Sequence, residues 1–331
     1  MRALVLEKPA PIETDPLLLC DLPLPQISEE EVLIRIRACG VCRTDLHIVE
    51  EEIPHHLLPL IPGHQIVGVV EEVGEKVKDL SPGELVGVPW LNRVCGRCRF
   101  CQDGRENLCE SALFTGYDVL GGYAEYVATH QEAVYKLPEG YKDEELAPLL
   151  CGGVIGYRAY RMSGVKKGDT LGIFGFGSSA HLVAQIAKIE GVEIFVFTRS
   201  PEHQLLARDL GASFAGRAED RPPHLLTSAI IFAPAGTLVK NALLYLERGG
   251  AVIMAGIYST PLPEIPYPLL YWERSIKSVA NSTRQDVREL LDFAQKHHLE
   301  AKTEIFPLTE ANRVLQLLKE SKIKASAVLK P

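Results

Sequence analysis

Four cysteines within fifteen residues, Cys95, Cys98, Cys101 and Cys109 in CGRCRFCQDGRENLC, constrain this chain more than any other feature. Thiolates at this spacing, with Gly96 and Gly104 permitting tight turns, can close on one tetrahedral ion without help from elsewhere in the chain. The alternatives are a pair of disulfides or an iron–sulfur cluster. Disulfides suit a secreted chain, and the cluster spacings of ferredoxins differ, so structural zinc is the reading adopted. A site closed by four thiolates has no open position for substrate or water, and its role is to fold the loop. Arg97, Arg99 and Arg105 in the same loop either offset its negative charge or form a solvated basic surface.

The chain has eight cysteines, the others being Cys20, Cys39, Cys42 and Cys151. Its opening, MRALVLE, carries no long apolar run, and no window reaches the roughly 18 apolar residues of a membrane span, so a cytoplasmic protein is expected. A net charge of −8 gives no general attraction to phosphate backbones or anionic lipid, which argues against nucleic-acid and membrane partners. At 331 residues, with 46% hydrophobic and 24% charged, the composition is that of a packed globular protein with two domains expected.

A second group of donors is dispersed. GVCRTDLH holds Cys42, Thr44, Asp45 and His47; IPGHQ holds His64; and CGGVIGYRA opens on Cys151. Each has an ordinary explanation alone: a buried cysteine, a capping threonine, a core histidine. Together Cys42, His64 and Cys151 supply two thiolates and an imidazole. The two negative charges cancel those of a divalent zinc and leave an electrophilic ion with a free fourth position, which suits catalysis. Zinc in such sites lowers the pKa of bound water from 15.7 to about 7. Asp45 is placed to bond the far nitrogen of His64, as a supporting carboxylate does for a metal-bound imidazole. Thr44 is a candidate to take the substrate proton and His47 to pass it toward solvent.

The chain changes rhythm along its length. VLIRIRAC, from Val32, alternates apolar and charged residues with period two, and QIVGVVEEVG and ELVGVPW are β-branched runs broken by glycine. Residues 1–150 therefore read as a β-rich domain. From about Thr170 strands alternate with helical stretches, the order of a parallel sheet with helices on both faces. The tail carries helical runs near 286–297 and 310–320, then the apolar strand SAVLKP, which needs a sheet to join; residues 282–331 are therefore expected to return to the first domain. The resulting fold class is α/β, a doubly wound parallel-sheet domain at residues 151–281 plus a β-rich domain.

DTLGIFGFGSSAHLVAQIAK runs from strand through glycine turn to helix, with Gly175, Gly177 and Ala180 in the GxGxxG/A positions. Such a turn lets a pyrophosphate approach a helix N-terminus, whose free amides and dipole favour an anion. The following strand ends on Thr198 and Arg199, where an NAD site usually carries an acid. A hydroxyl and a guanidinium accept a 2′-phosphate that an acid would repel, so NADP(H) is expected over NAD(H).

GVCRTDLH, IPGHQIVG, the four-cysteine loop with GRENLC, FTGYDVLGGYAEY and CGGVIGYRA together resemble the zinc-dependent alcohol dehydrogenases of the medium-chain dehydrogenase/reductase superfamily, over nearly the whole chain. VPWLNRVCGRC and ERSIKSVANSTRQD look like the bacterial propanol-preferring group. The resemblance implies a GroES-like catalytic domain built from both chain ends, a Rossmann domain inserted between them and an active site in the cleft. It implies catalytic zinc on Cys42, His64 and Cys151, structural zinc on the four-cysteine loop, and Arg43 and Arg284 near the cofactor pyrophosphate. It also implies a homo-oligomer, tetramer or dimer.

Two positions depart from the family pattern. Gln65 stands where GHE has a glutamate, a change expected to alter zinc exchange or affinity, and Ile155 stands where threonine is frequent beside the nicotinamide. The expected reaction is hydride transfer between a small or medium primary or secondary alcohol and the nicotinamide cofactor. The alternatives are the same site run as an NADPH-dependent aldehyde reductase, or a binding protein that retains the fold without turnover. Trp90, Leu113 and Tyr267 are candidate pocket walls by neighbourhood.

Overall fold

The computed structural model describes residues 1–54, 57–323 and 326–331. Two units divide the chain: Met1–Cys151 with Thr283–Pro331, and Gly152–Ser282. Among the described residues no helix is long and apolar enough to cross a membrane.

The first unit is built on the strand Glu31–Val41. Arg35 and Arg37 are exposed while Ile34 and Ile36 are buried, as the alternation of a half-covered sheet requires. The alternation is not kept throughout. Register shifts between Leu33 and Ile34 and between Ile36 and Ala38, against the partner Ile66–Val73, leave Leu33 and Cys39 buried as well. In spatial order the sheet runs Thr303–Pro307, Ser326–Lys330, Glu31–Val41, Ile66–Val73, Leu85–Val88 and Tyr135–Lys136, with Tyr126–His130 also paired to the first half of Glu31–Val41. The terminal strand Ser326–Lys330 runs antiparallel to Glu31–Val41, setting Leu329 opposite Cys39. This unit's core gathers Ile34, Ile36, Leu46, Ile48, Ile66, Tyr123 and Leu315.

The second unit is a six-stranded, wholly parallel sheet. Its order is Phe214–Gly216, Glu193–Phe197, Thr170–Phe174, Leu226–Ile231, Leu246–Met254, Ser275–Ser278. Numbered along the chain this is 3-2-1-4-5-6, the doubly wound arrangement. All five residues of the central strand Thr170–Phe174 are buried, as expected of a strand covered on both faces. Phe174 stacks on Phe197 across neighbouring strands with ring centroids 4.3 Å apart. The chain leaves the first strand one way and returns to its other side for the fourth. With right-handed crossovers this sends the connecting helices to opposite faces and opens a crevice at the carboxyl ends of those two strands. The turn at Gly175 lies there: a Cβ on Gly175 would come within 2.9 Å of the Ala233 backbone nitrogen beyond the fourth strand.

Candidate active site and metal centres

Cys42 precedes the short helix Arg43–Val49 and caps it: its Sγ accepts from the Thr44 amide at 3.3 Å. Asp45 completes a reciprocal cap, its Oδ2 accepting the Cys42 amide at 2.8 Å. Capping thus fixes both side chains before any ion is considered. His64 is supplied by the chain entering the strand Ile66–Val73, after Gly63 at φ +95°. A Cβ on Gly63 would lie 2.4 Å from the Tyr123 ring, so glycine is required by both conformation and space. Cys151 follows the turn Ala147–Leu150.

These segments bring three donor atoms together. His64 Nε2 lies 3.4 Å from Cys42 Sγ and 3.3 Å from Cys151 Sγ, and the two sulfurs are 3.9 Å apart. Tetrahedral zinc with Zn–S bonds of about 2.3 Å requires an S···S edge of about 3.8 Å, so the triangle fits that ion. Asp45 Oδ1 stands 3.1 Å from His64 Nδ1, and both residues are buried. With Nδ1 engaged by a carboxylate, the tautomer offers Nε2 as the ligand.

The electrostatics of the trio are those of groups awaiting a cation. The Cys42 thiol is held well below its ordinary value, first by the hydrogen bond from Cys151. Cys151 is driven well up by that same bond and by burial. Burial opposes charge on His64, but Asp45 and Cys42 outweigh it and raise the imidazole to about 10. Asp45 itself is raised by burial. Loading a metal therefore has to displace protons from this trio.

The four-cysteine loop forms the second group. Its four sulfurs lie within 4.8 Å of one another, with Cys98 and Cys101 Sγ 3.5 Å apart. Gly96 and Gly104 both take positive φ, at +67° and +68°. The Arg97 and Cys98 amides point at Cys95 and hold its thiol down to about 6, whereas burial and the hydrogen bond it shares with Cys98 push Cys101 up to about 12. Two of the loop's guanidinium groups have partners other than the sulfurs. Arg99 and Arg105 lie against the Phe100 ring, 4.6 and 5.4 Å from its centroid, and Arg105 bonds Asp103 at 2.8 Å. Backbone amides supply positive ends to Cys95.

In the second unit Gly177 is the N-cap of the helix Ser178–Ile189 and has open space where a Cβ would stand. Ala180 is fully buried. A glycine cap offers no side chain to the first-turn amides, and this turn has room for a phosphate to approach them. Thr198 sits past the end of the second strand, bonded to Gly216 through its amide at 2.8 Å, and Arg199 beside it is exposed.

Residues 28–139 match the family model described as the alcohol dehydrogenase GroES-like domain, and residues 180–296 match the zinc-binding dehydrogenase model. The chain is 45% identical to a probable alcohol dehydrogenase of Mycobacterium tuberculosis over 99% of its own length and 97% of the relative's. It belongs to the zinc-dependent alcohol dehydrogenases of the medium-chain dehydrogenase/reductase superfamily. An alcohol dehydrogenase of Geobacillus stearothermophilus is 38% identical over 92% of the chain and 93% of the relative. Among solved structures, a cinnamyl alcohol dehydrogenase of Sorghum bicolor superposes with TM-score 0.91 at 26% identity, covering 99% and 97% of the two chains. The alcohol dehydrogenase of Aeropyrum pernix gives 0.88 at 28% identity, with both chains covered fully. The protein is accordingly an NAD(P)-dependent oxidoreductase that interconverts an alcohol with its aldehyde or ketone.

Aromatic side chains gather beside the trio of this alcohol dehydrogenase. Trp90 stands edge-on to His64 with centroids 4.9 Å apart and stacks on Phe114 and Tyr117 at 5.2 and 5.8 Å. Of the three candidate walls, Trp90 lies against His64; Leu113 is half-buried in the strand Leu113–Phe114, and Tyr267 is 70% exposed. Phe114 and Tyr117 lie in the FTGYDVLGGYAEY motif, but nothing in their spacing marks them as neighbours of Trp90; the turn with the Thr115–Val119 bridge folds them there. Arg43 is exposed, with one contact to the Leu318 carbonyl at 3.4 Å. Arg284 is engaged within its own unit, its guanidinium bonding Glu132 at 2.6 Å and its amide Glu106 at 2.9 Å. Gln65 is buried with its Oε1 over Gly40, and its Nε2 has no hydrogen-bond partner among the described residues.

Proposed function

We propose that this alcohol dehydrogenase holds two zinc ions per chain and prefers NADP(H), and that it acts on small or medium primary and secondary alcohols. The catalytic ion belongs to Cys42, His64 and Cys151, the structural ion to Cys95, Cys98, Cys101 and Cys109. The observation that carries this reading is the Cys42–His64–Cys151 triangle, whose 3.3–3.9 Å edges suit one tetrahedral ion with a fourth position left for substrate oxygen. When bound, the catalytic zinc polarises that oxygen and the nicotinamide exchanges hydride with the carbon.

The chain's own residues do the rest. Asp45 orients His64 and holds the Cys42 segment through its second oxygen. Thr44, half-buried on the first turn of the helix, takes the hydroxyl proton, and His47 one turn later carries it onward. The Trp90, Phe114 and Tyr117 stack lines the apolar side of the substrate position. The unit formed by both chain ends is the GroES-like catalytic domain, and the inserted unit, with Gly175, Gly177 and Ala180, is the cofactor domain. Arg199 and Thr198 receive the 2′-phosphate, and Arg43 serves the pyrophosphate. Arg284 is the weaker partner for that role, since Glu132 already holds its guanidinium. A cytoplasmic homo-oligomer, tetramer or dimer, is the state in which we expect it to act.

The test is absorbance at 340 nm with a panel of alcohols and matched NADP and NAD, before and after chelation. Reduction that requires alcohol, falls on chelation and runs faster with NADP is expected. Arg199→Asp is expected to lower the NADP/NAD ratio of kcat/KM by about tenfold or more, since an acid repels the 2′-phosphate. Equal turnover of both cofactors by the native enzyme would sink the preference, and activity indifferent to chelation with zinc fully removed would sink the zinc mechanism.

A further inference from the structure

The helix Arg43–Val49 is followed by three consecutive glutamates, Glu50, Glu51 and Glu52, and the structure gives each a different fate. Glu50 is spent on anchoring: its Oε1 accepts the Ile12 amide at 2.9 Å and the Lys319 ammonium at 2.7 Å. Glu51 is exposed and takes a left-handed conformation, φ +60°. Its amide bonds the Ile48 carbonyl at 3.2 Å, and the Glu52 amide bonds the His47 carbonyl at 2.9 Å. These two bonds are a Schellman closure, which reverses the chain at the helix end. The reversal lays Glu52 back on the last turn, where its Oε2 meets His47 Nδ1. His47 is 9% exposed in its side chain while Glu52 is 52% exposed, so the pair runs from the interior to water.

We infer that Glu52 is a positioning residue for the proton relay, the carboxylate that sets the tautomer of His47 and offsets its charge when it is protonated. This rests on the reading of His47 as relay base. An ionised carboxylate only accepts, so Nδ1 must carry the hydrogen and Nε2 the lone pair. One transfer then balances simply. An O–H bond breaks on the donor side as an N–H bond forms at Nε2, the Nδ1–H stays in place, and the imidazolium is stabilised by Glu52. The Nε2 proton afterwards leaves to water and restores the starting tautomer. The arrangement uses a carboxylate behind an imidazole as acyl-transfer triads do, here for a proton alone.

The experiment compares Glu52→Gln, Glu52→Asp and His47→Gln in the zinc-loaded enzyme, reading kcat, KM and the dependence of kcat on added imidazole buffer. Glu52 is half exposed, so its substitution is not expected to disturb folding, and zinc content and thermal midpoint check this. Glu52→Gln is expected to lower kcat about tenfold with KM little changed. Imidazole is expected to restore part of the loss, and Glu52→Asp to retain more activity than the amide. A slow, imidazole-rescued His47→Gln alongside a Glu52→Gln of native kcat would overturn the inference and leave the relay standing. A His47→Gln of native kcat would remove the relay and this inference with it.

Discussion

His64 must present a neutral nitrogen to a metal, yet Asp45 and Cys42 raise its imidazole to about 10. The two requirements are reconciled by exchange: the charge that Asp45 and the thiolate stabilise on the imidazolium is the charge they stabilise on a bound cation. Replacing Asp45 by asparagine removes the carboxylate's part of that field and, in one amide orientation, the acceptor for Nδ1–H. Asp45→Asn is expected to weaken zinc retention at the trio by about 10–100-fold. Competition with a metallochromic chelator measures this, and unchanged affinity would mean that Asp45 serves only as the cap of the Arg43–Val49 helix. At this scale the donors were legible, because cysteine and histidine in short motifs have few other uses. Trp90 against His64 and Glu52 against His47 were not, because neither pair is marked by spacing.

The turn after Val49 places a glutamate where glycine is the usual choice. An L-residue in the left-handed region costs roughly 1–2 kcal/mol, partly offset in a glycine variant by greater freedom in the unfolded chain. Glu51→Gly is therefore expected to stabilise the fold by ~0.5–1 kcal/mol while leaving the Glu52–His47 contact in place. A urea midpoint that is unmoved or lower would show that Glu51 makes compensating contacts. Elements themselves were readable from period and punctuation: the helices Ser178–Ile189 and Pro201–Asp209 begin and end within two residues of their apolar and proline signals. The strand Leu246–Met254 starts five residues before its apolar run at Ala251, through the polar Glu247-Arg248-Gly249, because pairing rather than side-chain pattern extends it.

At the scale of the molecule, the proposed structural zinc would act as a folding ligand. With Cys95 near 6 and Cys101 near 12, loading the four-cysteine loop at neutral pH must release protons. The metal-bound state then holds fewer protons than the free one. Zinc-dependent stabilisation is thus expected to grow with pH between these two values and to fade as pH drops toward 6 and below. Zinc titrations followed by thermal midpoint at pH 6, 7 and 8 check the sign, and a gain that shrinks as pH rises would contradict thiolate ligation.

The sequence by itself determined the two kinds of unit, the alternation of strands and helices after Thr170, the close-spaced cysteine loop and the candidate donors of the open site. The units and the cysteine loop depend on neighbours a few residues apart, through period, glycine conformation or ligand spacing, whereas Cys42, His64 and Cys151 come from three separate short motifs and the family they resemble. Only the tertiary structure decided that Leu329 faces Cys39, that Trp90, Phe114 and Tyr117 stack beside His64, and that the third of three glutamates meets His47. Those contacts join residues whose separation along the chain carries no signal, or, for Glu52, depend on one left-handed residue that composition does not announce. Packing selects them from many partners of similar local preference.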